Sequence, residues 1–181
     1  PLMPTMVLAE GPSDARILEA SLHALLPEYR EKFSFFDHAE LNVDGGANYL
    51  VKFLKAFAAA KASFPLVAIF DNDAAGLVAY RQAKTLALPS NFIVLKLPDI
   101  ELGWRYPTRG PQGEHEVSIN GKACSIEMYL GRKNLELDGI LRPVIWGGQA
   151  GLNYQGEVQG KVDVQNSFFC EIDSHATSLD A

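Results

Sequence analysis

The chain has 181 residues, of which 48% are hydrophobic, and a formal net charge of −6 at pH 7. This length allows one α/β domain with a substantial core and is too short for two complete domains. The acidic charge argues against capture of nucleic acid through the overall electrostatic field, although carboxylates that hold metal ions would add to the negative count. No segment reaches the roughly 18 to 20 apolar residues of a membrane span, so we expect no membrane contact.

The two cysteines, Cys124 and Cys170, lack the spacing of a zinc site or of a disulfide framework. This usage favours a reducing cytoplasm, and we expect both thiols to serve in packing. A strand predicted close to the first residue and a polar tail without pattern favour a module taken from a longer chain.

Predicted strands and helices alternate through the first half of the chain, each identified by its hydrophobic spacing. In chain order they are a strand at 6–9, a helix at 15–26, a strand at 33–43, a helix at 49–61, a strand at 66–70, a helix at 74–86 and a strand at 91–97. The strands are apolar throughout rather than alternating. Helices should therefore cover both faces of a four-stranded parallel sheet.

The composition changes after Asp99. We expect residues 1–99 to form the core and residues 100–181 to form an elaborated extension packed on the same domain. The extension contains, in chain order, a long excursion or hairpin at 103–121, a helical turn at 125–130, turn-rich stretches at 147–151 and 156–160, and a helix at 161–169. Long irregular segments are usually functional or disordered.

Acidic residues follow the predicted strands. Glu10 follows the first strand, Asp44 the second, and the pair Asp71 and Asp73 the third. Ligands of parallel sheets gather at the carboxyl ends of the strands. We therefore expect these carboxylates to converge on one edge of the sheet.

Asp71 and Asp73 form the strongest motif. Residues two apart on a strand share a face, so both carboxylates can point into the same space. Two hard oxygen ligands suit Mg²⁺ or Mn²⁺, which take their remaining ligands from water and from a phosphate substrate. The alternative is a solvated turn in which one of the two acids caps the helix that begins at Ala74.

Glu10 is a candidate general acid/base or further metal ligand. Gly11 would let the backbone approach a phosphate, and Asp14, four residues beyond Glu10, can face the same site from the first helical turn. The alternative is a polar turn in which Ser13 or Asp14 caps the following helix.

Three kinds of residue carry weaker signals. Glu127 sits at a helical start, where an acid is usually a surface residue, and Lys161 could neutralise a phosphate although most lysines are solvated. Arg105 and Arg109 can bind phosphates, but a mixed-charge exposed loop explains them equally well.

Two segments, VLAEGPSD at 7–14 and FDNDAAG at 70–76, resemble the Toprim domain shared by topoisomerases, bacterial primases and the overcoming-lysogenization-defect (OLD) nucleases. The resemblance covers residues 6–99 and implies a Toprim-like, Rossmann-like fold. It implies that Glu10 is the general acid/base and that Asp71 and Asp73 bind Mg²⁺ or Mn²⁺. An acid four residues after the glutamate is most similar to the OLD-type branch, which implies a metal-ligand role for Asp14.

Residues 107–130 and 156–161 are similar to Toprim-like domains associated with HEPN modules in bacterial conflict systems. OLD-type enzymes use a later acid and a later lysine, which implies that Glu127 is a metal ligand and Lys161 a catalytic residue. The resemblance also implies DNA or RNA as substrate and a fused or associated HEPN or sensor domain as partner.

Three hypotheses follow. The first is a metal-dependent nuclease of a bacterial defence or DNA-processing system. The second is a phosphatase in which Asp71 attacks phosphorus and Asp73 is the acid, although such enzymes place the acidic pair on an early strand. The third is a non-catalytic module that binds nucleotide, nucleic acid or a partner protein.

Overall fold

A computed structural model of the chain describes residues 3–37, 45–150 and 153–179. The chain divides into two compact units. The first unit contains Pro1–Phe70 and Ala79–Lys96, and the second contains Asp71–Val78 and Leu97–Ala181. The predicted boundary at residue 99 lies close to Leu97, while residues 71–78 join the second unit from within the predicted core.

The first unit is built on four parallel strands. The elements up to the end of this sheet are β1 (Thr5–Leu8), α1 (Pro12–Leu25), β2 (Phe33–Phe35), α2 (Ala47–Ala59), β3 (Leu66–Phe70), β4 (Asn72–Asp73), α3 (Ala74–Lys84) and β5 (Phe92–Lys96), with a 3-10 helix at Pro27–Lys32. Of these, β4 and the first turn of α3 belong to the second unit. The sheet has the order β2-β1-β3-β5, and every neighbouring pair is parallel. The prediction of an α/β unit with a four-stranded parallel sheet is confirmed.

The core of this unit lies on the central strands and the helices that cover them. Leu8, Leu66 and Phe70 are fully buried, as is Leu54 of α2. Burial of such side chains contributes about 1.5–3 kcal/mol each, relative to leaving them exposed.

The edges of the sheet depart from the prediction. The strand predicted at 33–43 pairs only over Phe33–Phe35, and residues 38–44, including Asp44, lie outside the described residues. On β5, Ile93 and Leu95 alternate with buried neighbours and are 51% and 47% exposed. The prediction that helices cover both faces is therefore wrong at β5, because the face that carries these two side chains is open to solvent.

The second unit contains mainly short strands. Its further elements are a 3-10 helix at Leu102–Trp104, β6 (Tyr106–Gly110), β7 (Gly113–Val117), β8 (Ala123–Cys124), a 3-10 helix at Ile126–Tyr129, α4 (Arg132–Leu135), β9 (Glu136–Leu137), β10 (Ile140–Leu141), β11 (Val144–Ala150), β12 (Asn153–Val158) and α5 (Lys161–Leu179). One sheet has the order β12-β11-β6-β7, in which only β11 and β6 run parallel. Two ladders of two strands join β4 to β8 and β9 to β10.

The hairpin expected within 103–121 is confirmed by β6 and β7, and the helix predicted at Lys161 begins there and continues to Leu179. The helical turn predicted at 125–130 is a 3-10 helix. The predicted turns are wrong at Gly147 and Gly148, which lie in β11, and at Gly156, which lies in β12. Gln159 and Gly160 do form a turn before α5, and Gly151 lies outside the described residues. A bulge follows Trp146, and a Cβ on Gly156 would meet the Trp146 ring at 2.8 Å.

Cys124 is fully buried, as predicted, whereas Cys170 is exposed, so the packing role expected for it is wrong. In the part of the chain that the structure describes, no helix is both long and apolar enough to cross a membrane.

The packing of Gly45 predicts a specific loss of stability. A Cβ on Gly45 would lie 2.8 Å from the carbonyl oxygen of Glu10, a backbone atom that cannot swing aside. We expect Gly45→Ala to lower the free energy of unfolding by about 1–3 kcal/mol in urea titrations. Gly147→Ala is the matched control, because a Cβ there meets nothing within 4 Å. Equal stability of the two variants would contradict the close packing of Gly45 on Glu10.

Candidate functional site

In the first unit, Glu10 lies in the turn after β1, and Asp14 lies in the first turn of α1. Gly11 is the N-cap of α1 and Pro12 is its first residue. The N–H of Gly11 donates to Oδ2 of Asp14 at 2.8 Å, and Asp14 is only 7% exposed. Asp14 therefore closes the first turn of α1, and it engages the Gly11 N–H that was predicted to approach a phosphate.

Glu10 lies at the point where the strand order reverses. The chain places β2 on one side of β1 and β3 on the other, which makes the carboxyl ends of β1 and β3 a topological switch point. Glu10 is half-buried there, and its carbonyl oxygen accepts the N–H of Gly46 at 2.5 Å. The turns after β1 and before α2 are thereby bonded to each other, at the position where open α/β sheets usually bind ligands.

In the second unit, the segment Asp71, Asn72 and Asp73 is buried. These residues are 9%, 1% and 7% exposed, respectively. The antiparallel ladder opposes Asn72 to Cys124 and Asp73 to Ala123, which fixes the backbone of the acidic turn. Nδ2 of Asn72 also donates to Oδ1 of Asp99 at 2.9 Å.

Both oxygens of Asp73 accept hydrogen bonds. Oδ1 accepts the N–H of Gly76 at 2.6 Å, so Asp73 caps α3, as the alternative interpretation expected. Oδ2 accepts Nε2 of Gln155 at 2.5 Å. Burial raises the pKa of Asp73 above its ordinary value, and these two donors and the charge of Lys161 offset part of that rise. The carboxylate is thus desolvated but held in one orientation.

Glu127 is fully buried, so the surface interpretation of this acid is wrong. Its Oε2 accepts the hydroxyl of Ser125 and its Oε1 accepts Nε2 of Gln165, both at 2.6 Å. Nζ of Lys161 lies 3.5 Å from Oε1 of Glu127 and 3.4 Å from Oε1 of Glu157. A buried carboxylate is tolerated here because several donors compensate for its lost hydration.

Lys161 acts electrostatically on both acidic positions. It forms the ion pair with Glu127, and its positive charge lowers the pKa of Asp73. The second unit therefore brings together three residues that the sequence predicted separately, namely Asp73, Glu127 and Lys161.

The donor set can be compared with the needs of a divalent cation. Among residues 3–37, 45–150 and 153–179, no group of three or more His, Cys, Asp or Glu side chains is arranged to hold a metal ion. Mg²⁺ commonly binds only one or two carboxylates and completes its shell with water and substrate phosphate. Asp71 and Asp73, both buried and two residues apart, offer that number of carboxylates, whereas Glu127 already forms an ion pair with Lys161.

Tyr129 is a further polar residue beside the acidic turn. Its hydroxyl donates to the carbonyl oxygen of Pro98 at 2.5 Å. Burial raises the pKa of Tyr129 strongly, and the negative charges of Asp71 and Asp99 add to the rise. Tyr129 therefore donates a hydrogen bond to the backbone directly beside the acidic turn.

The arginines of the hairpin are paired with glutamates. Arg105 Nε lies 2.5 Å from Glu116, and Arg109 Nη2 lies 2.6 Å from Glu114, all on exposed side chains. This arrangement is the mixed-charge loop that stood as the alternative to phosphate binding.

Sequence reasoning missed the partners of the acids, namely Gln155, Ser125, Gln165, Asn72 and Tyr129. A serine two residues before Glu127 and a glutamine four residues after Lys161 are local signals, but only the fold shows that they meet. Gln155 carries no sequence signal, because it lies outside every predicted element and belongs to β12.

The chain matches no family model, and neither a curated protein nor a solved structure gives a significant match to it.

The network around Glu127 predicts a large loss on truncation. Glu127→Ala removes the acceptor for Ser125 and Gln165 and the buried partner of Lys161. We expect the free energy of unfolding, measured by thermal denaturation, to fall by about 1–3 kcal/mol, because the buried donors lose their acceptor. Glu157→Ala removes the other acid beside Lys161. Because the Glu157 side chain is 64% exposed, this substitution should change the free energy of unfolding by no more than about 0.5 kcal/mol. A larger effect of Glu157→Ala would show that the network is not the stabilising part.

Proposed function

We propose that this protein is a Toprim-type nuclease that hydrolyses phosphodiester bonds of DNA or RNA with Mg²⁺ or Mn²⁺, in a bacterial defence or DNA-processing system. The observation that carries the proposal is the cluster of Asp73, Glu127 and Lys161 in the second unit. The resemblance implied a role for each of these residues, which come from three separate regions of the sequence. A fused or associated HEPN or sensor domain remains the proposed partner.

Asp71 and Asp73 would supply the oxygen ligands of the divalent ion. When bound, such an ion lowers the pKa of a water molecule and stabilises charge on the scissile phosphate. Gln155 and Gly76 hold the Asp73 carboxylate in a fixed orientation through their hydrogen bonds. Preorganised ligands of this kind avoid reorganisation when the substrate binds.

Lys161 would stabilise negative charge that develops on the phosphate. Its side chain is 32% exposed, so it can reach a ligand while Glu127 anchors it from the buried side. Glu127 thus acts as a positioning residue for the lysine rather than as a metal ligand. Glu10 is the proposed general acid/base, with Asp14 holding the turn on which it sits through the bond to Gly11.

The raised pKa of Asp73 also supports cation binding. A desolvated carboxylate favours either a proton or a nearby cation, because both remove the cost of its buried charge. Proton and divalent ion therefore compete for this residue.

Cleavage assays test the proposal. Supercoiled plasmid and single-stranded RNA are incubated with the protein in Mg²⁺ or Mn²⁺. We expect Asp71→Asn and Asp73→Asn to lower the cleavage rate by at least about tenfold to hundredfold, and Glu10→Gln to lower it as well. Asp138→Asn, at an exposed position between β9 and β10, is the matched control and should cleave like the wild type.

Two results would contradict the nuclease proposal. One is cleavage at the same rate by all variants, which would identify a contaminant. The other is no cleavage by a folded wild type, which would leave a non-catalytic binding module. An aspartyl-phosphate trapped on Asp71 would instead identify the phosphatase.

Metal binding should stabilise the protein in a pH-dependent way. Without metal, the raised pKa of Asp73 makes the folded state less stable as pH rises from the ordinary value of 3.8 through the raised value, because the folded state binds the proton more tightly. With metal, the ionised form is the ligand, so the gain from Mg²⁺ or Mn²⁺ appears above the raised pKa and disappears below it. Differential scanning fluorimetry measures both trends.

At a metal concentration about 100 times its Kd, the expected stabilisation is about 2.7 kcal/mol. Asp73→Asn should remove it, whereas Asp138→Asn should retain it. An equal metal-induced shift in both variants would show that Asp73 is not a ligand.

A further inference from the structure

One face of the larger sheet in the second unit carries an open groove of about 670 Å³, here called the aromatic groove. Its lining comes from β6, β7, β11, β12 and the segment before β8, namely Thr108, Gly110, Pro111, Gln112, Gly113, His115, Val117, Lys122, Trp146 and Tyr154. The volume lies within the roughly 300–1,000 Å³ typical of ligand sites. None of the roles proposed above uses this groove.

Trp146 is held in a defined position on the groove. A Cβ on Gly110 would lie 3.3 Å from its Cδ1, and a Cβ on Gly156 would lie 2.8 Å from its Cε3. The indole therefore packs on two glycines, one from each neighbouring strand. The bulge between Trp146 and Gly148 locally changes the direction of β11.

Tyr154 supplies a second ring, and 66% of its surface is exposed. Trp146 lines the same groove, so the two aromatic side chains are presented together rather than scattered singly over the surface. Two rings in one groove form a platform on which unstacked bases can stack.

The charge of the groove suits a polyanion although the chain is acidic. Among the described residues that line it, none is Asp or Glu, and Lys122 contributes a positive charge. Alternation along β7 places His115 on the groove face and sends Glu114 and Glu116 to the opposite face. There, these two acids pair with arginines.

Two backbone connections link the lining of the groove to the acidic turn within the same unit. Lys122 forms a β-bridge with Asp73. On β12, Tyr154 lines the groove while the next residue, Gln155, donates to Asp73. The residue suited to a phosphate and the residue suited to a metal ion are thus neighbours in the backbone pairing.

From these observations we propose that the aromatic groove binds a single-stranded segment of nucleic acid, with bases stacked on Trp146 and Tyr154 and a phosphate on Lys122. This inference rests on the proposed function and defines its substrate as an unpaired strand. Bases of a duplex are already stacked on one another and cannot reach the two rings, whereas an unpaired strand offers its base faces.

Binding of labelled oligonucleotides tests the inference without cleavage. Fluorescence anisotropy of dT12 and U12 with the full chain is measured in EDTA, and the two oligonucleotides separate DNA from RNA. We expect Tyr154→Ala and Trp146→Leu each to weaken binding by about tenfold, the usual effect of losing one stacked base. Trp104→Ala is the matched control, because Trp104 is 58% exposed in the same unit and does not line the groove.

Two further measurements test the roles of Trp146 and Lys122 separately. In a Trp104→Phe variant, Trp146 is the single tryptophan, and stacking should quench its fluorescence on addition of the oligonucleotide. Lys122→Gln should reduce the slope of log K against log salt by about 0.7, the value for one phosphate contact on a single strand. Because Tyr154 is exposed, its variant should stay folded, which circular dichroism verifies.

The inference is overturned if the wild type binds neither oligonucleotide, if the Tyr154 variant binds as tightly as the Trp104 variant, or if Trp146 fluorescence does not respond. Hydrolysis of the small diester bis(4-nitrophenyl) phosphate by the wild type in Mn²⁺ reports separately on the proposed function. Binding without hydrolysis would retain the groove and reject the nuclease, and hydrolysis without binding would do the reverse.

Discussion

The burial of carboxylates in the second unit is the constraint on which the candidate site depends. Asp73 and Glu127 are 7% and 0% exposed, and each carboxylate is retained because donors replace its lost water. Those donors come from a strand and a helix that are distant in sequence, so the fold must be complete before either acid is tolerated. The site and the packing of the second unit are therefore one structure, and weakening one weakens the other.

The two faces of the sheet β12-β11-β6-β7 separate two kinds of chemistry. One face carries aromatic rings and glycines without a carboxylate among its described lining residues, while residues of the other face form ion pairs and the bond to Asp73. The separation follows from strand alternation, since neighbouring residues such as Tyr154 and Gln155 point in opposite directions. A chain with a net charge of −6 can in this way present a surface suited to an anion.

The sequence predicted best what local patterns determine. The bounds of β3 and the start of α3 followed from an apolar run that ends in an acidic turn and from helical spacing after it, and both were confirmed. β11 and β12 could not be predicted in the same way, because glycines there serve the packing of Trp146 and the pairing involves β6, far away in the chain. Glu127 shows the same limit for the site. Its sequence neighbourhood suggests a surface acid, and only the approach of Gln165 and Lys161 explains its burial.

The bond between Gln155 and Asp73 spans 82 residues, and it has a consequence for the order in which the chain can mature. A ribosome that adds about 5–20 residues per second needs roughly 4–16 s to travel from one partner to the other. During that time the parallel sheet can already form, because its strands β1, β2, β3 and β5 have been synthesised. The elements that contact the acidic turn, namely β8, β12 and α5, are synthesised later. All strands of the parallel sheet are therefore synthesised before Gln155, so a chain that ends before β12 would contain the sheet but not the donor that orients Asp73.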